Sequence, residues 1–472
     1  MTKAAARDAR LPLGLALAFA ATSLPITALS IAVAVHLPAY FAASIGVELA
    51  VVGAAFGLVR LIDVPVEPIL GLVMDRTRTR WGRYRVWTIA GVPLLMLGLY
   101  MLLVAGLGVG QPYLIAWLLV MYLGLSILTL SHAAWASTLA KTYNDRARLF
   151  GVMAAVGVAG AVSVLTIPIV MERMGYAEAE GVRAMVWYLL ALAPIAVAVV
   201  VWRTPETVTP ETAGQRFRLR DYLELVTDPN MARIILADLA LSFGPASMAA
   251  LYIFFFRDYL GFTPGQANLL LAIYIVSGVA GAPMLAWLAT KISKHRTVML
   301  ACATYSLVTI SFAFLPKGNV LGALPTMCLA GFVAAGFNVL TRAMTADVAD
   351  EMRLRQGKER SGLLYAMTTL TTKLAAGGSI FVIFGILDRM GFDPKLGQRN
   401  TPEAMQALVL CAVAVPVIFV MLGAVALIGY RLDAERAADV RRQLDARDAL
   451  PDPAAALQGL TGEELPAPGR SR

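Results

Sequence analysis

Arg60, Asp63 and Glu67 follow one another at i, i+3 and i+7 within an apolar run, so a helix there would carry all three on one stripe. Ionisable side chains inside a membrane span are costly, and they mark ion or proton pathways by default. Lys373 is the one cation deep in another apolar run, Gly362 to Ile386, and it requires an anionic partner across the bundle. Asp63 or Glu67 is the expected partner. A lone buried carboxylate is strongly disfavoured unless it is paired or takes up a proton, so one lysine facing two acids would leave one acid for a proton or small cation. Pro65 and Pro68 flank Glu67 and should free backbone carbonyls at a local kink. The competing reading is a static ion pair that fixes helix register.

Other polar residues suggest a cavity for a small molecule. In the fourth apolar run Ser131 precedes His132 and Trp135, and the last two stand at i, i+3, where an imidazole and an indole can share one wall. Asn338 and Arg342 share a face of the tenth, with Arg342 placed to snorkel toward the interface. Together with Arg60, the residues His132, Trp135 and Asn338 form the expected substrate-binding set. Asp238 is read as lying near the start of the seventh span and His36 near the end of the first, where solvation makes them structural.

The elements that must position these residues are membrane helices. Of the 472 residues 58% are hydrophobic and only 15% charged, against about one-quarter charged in soluble domains; mean hydropathy is +0.70. Apolar stretches of roughly 20 residues, the length that crosses a bilayer, recur about twelve times between Leu11 and Tyr430. The expected fold class is all-α, a polytopic membrane protein of twelve transmembrane helices in two six-helix bundles. The first run, Leu11 to Val35, exceeds the core of a secretory signal and is read as a retained span.

Loops of one parity are basic: Arg76 to Arg85, Lys141 to Arg148, Lys291 to Arg296 and Arg353 to Arg360. By the positive-inside rule these are cytoplasmic, and an even number of spans places both termini there too, in a cell inner membrane. The polar stretch Arg203 to Arg233 divides the spans six and six. The expected division is a bundle over 1–202, a cytoplasmic loop over 203–232, a second bundle over 233–430 and a cytoplasmic tail over 431–472. In the tail, Arg431 to Arg447 has the pattern of an amphipathic helix, and Pro451 to Arg472 that of a disordered segment.

The halves also repeat. The offset that carries Gly46 onto Gly261 superposes Phe41 on Phe256, Pro68 on Pro283 and Leu70 on Leu285, a weak parallel repeat of the kind transporters show. The same offset carries Arg60, Asp63 and Glu67 onto Ile275, Gly278 and Ala282. The scaffold therefore does not itself require charge at those places.

The net charge of +9 sits in short loops and not along one face, which argues for topology and against nucleic acid as a partner. Cys302, Cys328 and Cys411 are scattered through apolar runs and read as packing residues. A membrane-embedded enzyme would need a nucleophile with its base or a metal cluster, and His36, His132 and His295 are too widely separated to supply one. A sensor of transporter ancestry would be expected to carry an added soluble domain, for which the tail is short. No catalytic residue, metal or cofactor is expected, only a coupling ion.

Two blocks carry a resemblance to a known family. Arg60 to Trp87, RLIDVPVEPILGLVMDRTRTRWGRYRVW, and Met344 to Gly378, MTADVADEMRLRQGKERSGLLYAMTTLTTKLAAGG, resemble the glycoside-pentoside-hexuronide cation symporters of the major facilitator superfamily, the melibiose-permease-like carriers. The resemblance implies that Asp63 and Glu67 fall on the family's coupling-cation carboxylates and Lys373 on its eleventh-helix lysine. It implies a cation-coupled symporter of a sugar or glycoside, a monomer in the lipid bilayer. The second acid is Glu67 where the family has aspartate, and Val66 stands where an asparagine helps bind sodium, which favours H+ over Na+. Thr27 and Ser131 replace the sugar-binding aspartates and Val156 the arginine, while Trp135 matches an aromatic of the sugar site. A galactoside is disfavoured, and a lipid-like or aromatic amphiphile is the alternative substrate.

Overall fold

A computed structural model describes residues 11–140, 142–206, 227–356 and 361–448. Most of the expected central loop and the tail beyond residue 448 lie outside the described residues. In lipid every backbone N–H and C=O must be satisfied within the chain, and the apolar runs meet that demand as helices. Twelve are long enough to span: α1 (Leu13–Ile45), α2 (Leu49–Arg76), α3 (Arg85–Leu103), α4 (Gln111–Leu139), α5 (Asn144–Arg173), α6 (Glu178–Arg203), α7 (Pro229–Tyr259), α8 (Pro264–Ile292), α9 (Lys294–Phe314), α10 (Val320–Arg355), α11 (Leu363–Arg389) and α12 (Pro402–Ala426). Among the described residues the only β pairing is an isolated bridge between Thr79 and Gly82.

Polar residues at the span ends set where helices begin. Thr142, Asp228, Thr263 and Thr401 each accept a backbone N–H of the first turn, and Thr263 forms a reciprocal box with Gln266. α2 runs as one helix from Leu49 to Arg76 with Pro65 and Pro68 inside it; neither proline has an N–H to donate to the carbonyl one turn back. After α12 a further helix, α13 (Ala434–Asp448), is amphipathic as expected. It buries Val440 and Leu444, while Arg441 reaches Asp347 and Asp350 at the end of α10.

The repeat read from the sequence is visible as geometry. Both α1 and α7 close in a widened π turn, Phe41–Ile45 and Phe254–Tyr259, with Phe41 and Phe256 fully buried. Each is followed by a glycine in the left-handed region, Gly46 (φ 84) and Gly261 (φ 74). Only glycine adopts that conformation without a steric penalty, which explains why this pair survives in an otherwise weak repeat.

The twelve helices form two six-helix bundles that meet through α2 with α11, α5 with α8, and α1 with α7. We call the side holding the start of α1 and the end of α12 the terminal face, and the opposite side the far face. Cross-bundle contacts gather toward the far face. Gly53 and Gly57 of α2 lie against Phe384 and Phe381 of α11, Arg257 of α7 pairs with Glu178 of α6 at 2.7 Å, and the Gly265 amide donates to Glu172. Among the described residues, terminal-face ion pairs such as Arg83 with Asp75 and Lys294 with Asp347 stay within one bundle. The molecule is closed on its far face.

With no hydrophobic drive between helices in lipid, small residues that let backbones approach supply much of the packing. On α8, a Cβ added to Gly281 would fall on the Phe332 carbonyl of α10, whereas one added to Gly385 of α11 meets open space. Gly281→Ala should therefore destabilise the protein by about 1–3 kcal/mol and Gly385→Ala far less, measured as thermal unfolding in detergent. Equal losses would contradict this packing.

Candidate functional site

α2 and α11 bring Arg60, Asp63, Glu67 and Lys373 to one point, beside Ser126 of α4. Asp63 is at the middle of α2, roughly 20 Å along the helix from either end. From α11, Lys373 Nζ donates to Asp63 Oδ2 at 2.5 Å and lies 2.7 Å from Glu67 Oε1 as an ion pair, so it pairs with both acids. Ser126 of α4 donates to Asp63 Oδ1 at 2.9 Å and lies 3.4 Å from Lys373 Nζ. The i, i+3 spacing places the Arg60 guanidinium 3.5 Å from Asp63 Oδ2, and its flat face covers the Tyr122 ring at 3.9 Å.

The two acids are not equivalent. Asp63 is buried and held by Lys373, Arg60 and Ser126, whereas Glu67 has Lys373 as its single described partner. Its side chain keeps 17% exposure against 3% for Asp63. Two carboxylates face two cations, so the cluster is formally neutral as it stands. Glu67 is thus the less partnered and more accessible of the two acids.

Of the residues expected to bind substrate, Arg60 belongs to this cluster and Asn338 lines a separate cavity of about 320 Å³ in the second bundle. His132 and Trp135 do not share an open wall in this conformation. His132 stacks on Phe19 of α1 at 4.5 Å between ring centroids, with Nε2 2.9 Å from the Phe19 carbonyl. Trp135 is fully buried and meets the same Phe19 edge-on. Both rings fasten α4 to α1, because stacking and a carbonyl partner already satisfy them. Cys302 and Cys411 are buried as expected, but Cys328 is exposed on the surface of α10.

Asp238 does not occupy the solvated helix end expected for it. It lies nine residues, roughly 14 Å, inside α7 and is buried in the cavity wall. Thr371 donates to its Oδ2 at 2.5 Å and Thr372 at 3.5 Å. The signal that could have placed it is the Asp228–Pro229 pair, a helix cap followed by proline in the first turn, which starts α7 two and a half turns earlier. Ser126 carried no comparable signal, since a serine in an apolar helix is unremarked until its neighbours are known. Two repeat counterparts of the charged stripe, Ile275 and Gly278, line this cavity. Where the first bundle places charge, the second leaves room.

Lys373→Ala should strand Glu67 and weaken the hold on Asp63, a loss of about 3–5 kcal/mol for a broken buried pair. Adding Glu67→Gln should recover part of that loss in thermal unfolding of the purified protein. Losses that simply add would mean that Glu67 and Lys373 do not act as a pair.

Comparison with known proteins agrees with this architecture. Residues 18–434 match the model of the family described as MFS/sugar transport protein. The chain is 23% identical over 440 residues to an isoprimeverose transporter of Lactiplantibacillus pentosus, covering 89% of each chain. It is 23% identical over 424 residues to a glucuronide carrier protein homolog of Escherichia coli, covering 88% of this chain and 91% of the relative. In fold it is similar to the crystal structure of the nucleoside transporter NupG, with a TM-score of 0.67 at 14% identity over 89% of this chain and all of the other. These similar proteins are transporters, not enzymes. Twelve spans in two bundles, a charge cluster where the bundles meet and a family match across nearly the whole length place this chain in the MFS/sugar transport family, as a multi-pass membrane protein related to the sugar symporters.

Proposed function

We propose that this protein is a cation-coupled symporter of a sugar-like small molecule, working by alternating access between bundles spanning 1–202 and 233–430. The observation that carries the reading is Lys373 of one bundle bonded to Asp63 and Glu67 of the other. An ion cluster that crosses the boundary between two moving bodies makes their relative position sensitive to small-cation occupancy. A proton or sodium ion on Glu67 removes one of the two bonds by which Lys373 ties α11 to α2, while Asp63 keeps Arg60 and Ser126. Glu67 and Val66 favour the proton. A ligand or ion can shift the equilibrium between open states only through different affinity for them, and the cluster provides such a difference for the cation.

The basic loops support a cytoplasmic terminal face, and the membrane we assign is a cell inner membrane. The conformation closed at the far face is then the one that exchanges solute with the cytoplasm. Isoprimeverose and a glucuronide, named for the two sugar-carrying relatives, are the first substrates to try. The protein acts as a monomer in this scheme.

In proteoliposomes, Glu67→Gln should abolish uphill accumulation driven by a proton or sodium gradient while leaving exchange of labelled substrate partly intact, because exchange does not require release of the coupling ion. Full uphill transport by this variant would refute the coupling role.

A further inference from the structure

We propose that the second bundle carries a half-site for a neutral hydroxylated ring, with Asp238 as its hydrogen-bond acceptor and α11 as the element it shares with the ion cluster. The proposal rests on the symporter reading and names the part of the carrier that meets the sugar. The cavity of about 320 Å³ between α7, α8, α10 and α11 has two unlike walls. Asp238, Ser242, Asn338 and Thr372 give it a polar edge, and Tyr274 and Phe337 an aromatic one. Its volume falls at the small end of the ~300–1,000 Å³ range for small-molecule sites. A sugar ring has the matching division, a rim of hydroxyls and a face of C–H groups that packs on aromatic rings.

The chemistry of the edge favours hydroxyls over charge. An ionised carboxylate accepts about four hydrogen bonds; Thr371 and Thr372 supply two donors to Asp238. Acceptor capacity therefore remains for a ligand hydroxyl. The other polar groups of the edge, Ser242, Asn338 and Thr372, are uncharged and suit hydroxyls. Asn338 offers both a donor and an acceptor, as vicinal hydroxyls require.

The site also sits beside the coupling machinery. Thr371 and Thr372 bond Asp238 while the next residue, Lys373, bonds Asp63 and Glu67. The Thr372 contact, at 3.5 Å, is the weaker of the two and the one a ligand hydroxyl displaces most readily. Sugar on one side of α11 and cation on the other thus act on three consecutive residues, and either occupant changes what the other meets.

The test is a thermal-shift titration of the purified full chain with isoprimeverose and with methyl glycosides of common pentoses and hexoses, since bound ligand raises apparent stability by mass action. At least one glycoside should stabilise the wild type. Asp238→Asn, which weakens the acceptor, and Ala246→Phe, which fills the cavity without touching the Asp238 bonds, should each need about tenfold or more ligand for the same shift. If Asp238→Asn does not fold, Ala246→Phe and Asn338→Ala decide the outcome. Unchanged titrations in the folded variants would overturn the half-site and leave the sugar symporter reading standing. A wild type that no glycoside stabilises would overturn both.

Discussion

Lys373 reaches across the boundary between two bundles to hold two carboxylates in a medium that tolerates neither charge alone. Hydrocarbon makes an unpaired carboxylate or ammonium expensive, so each of these groups depends on the others to offset its removal from water. Such an arrangement adds little net stability over apolar packing, because desolvation offsets much of the attraction. Its distinguishing property is that removing or neutralising one member disturbs the rest. The inequality between Asp63, with three partners, and Glu67, with one, gives that disturbance a preferred entry point.

The surrounding framework depends on how closely glycines let helices approach. Within the second bundle α8 and α10 approach closely through Gly281 and Gly331, and a side chain at either place would strike the opposite backbone. Between the bundles, Gly53 and Gly57 of α2 likewise lie against α11, with Gly53 meeting the Ile380 carbonyl and Phe381 Cα as well as Phe384, and the Arg257–Glu178 pair adds a contact near the far face. Close approach through glycine thus operates both within a bundle and across the seam, where ion pairs are added to it.

The two bundles have divided the labour that a symmetric scaffold would have duplicated. At equivalent positions the first bundle carries Arg60 and Asp63 and the second Ile275 and Gly278, two of the residues that line the Asp238 cavity. Loss of bulk and charge in one copy makes space at the depth where the other copy concentrates charge. α11 touches both, with Asp238 bonded to its threonines and the acids of α2 bonded to its lysine.

Much of this was legible in the order of residues. Twelve spans follow from apolar length alone, since lipid leaves the backbone no alternative to the helix. The repeat was readable because Gly46 and Gly261 occupy a backbone conformation that other residues resist, and the Asp63–Glu67–Lys373 constellation because charge in lipid is too costly to be incidental. The roles of His132, Trp135, Asp238 and Ser126 were decided only by the tertiary structure. Spacing along a helix tells which face a residue shares, but not which neighbouring helix covers that face: α1 covers His132 and Trp135, whereas the cavity edge and α11 meet Asp238. Local periodicity and solvent cost are properties of one segment, while the partners that turn a polar residue into a brace or a binding group come from segments far away in the chain.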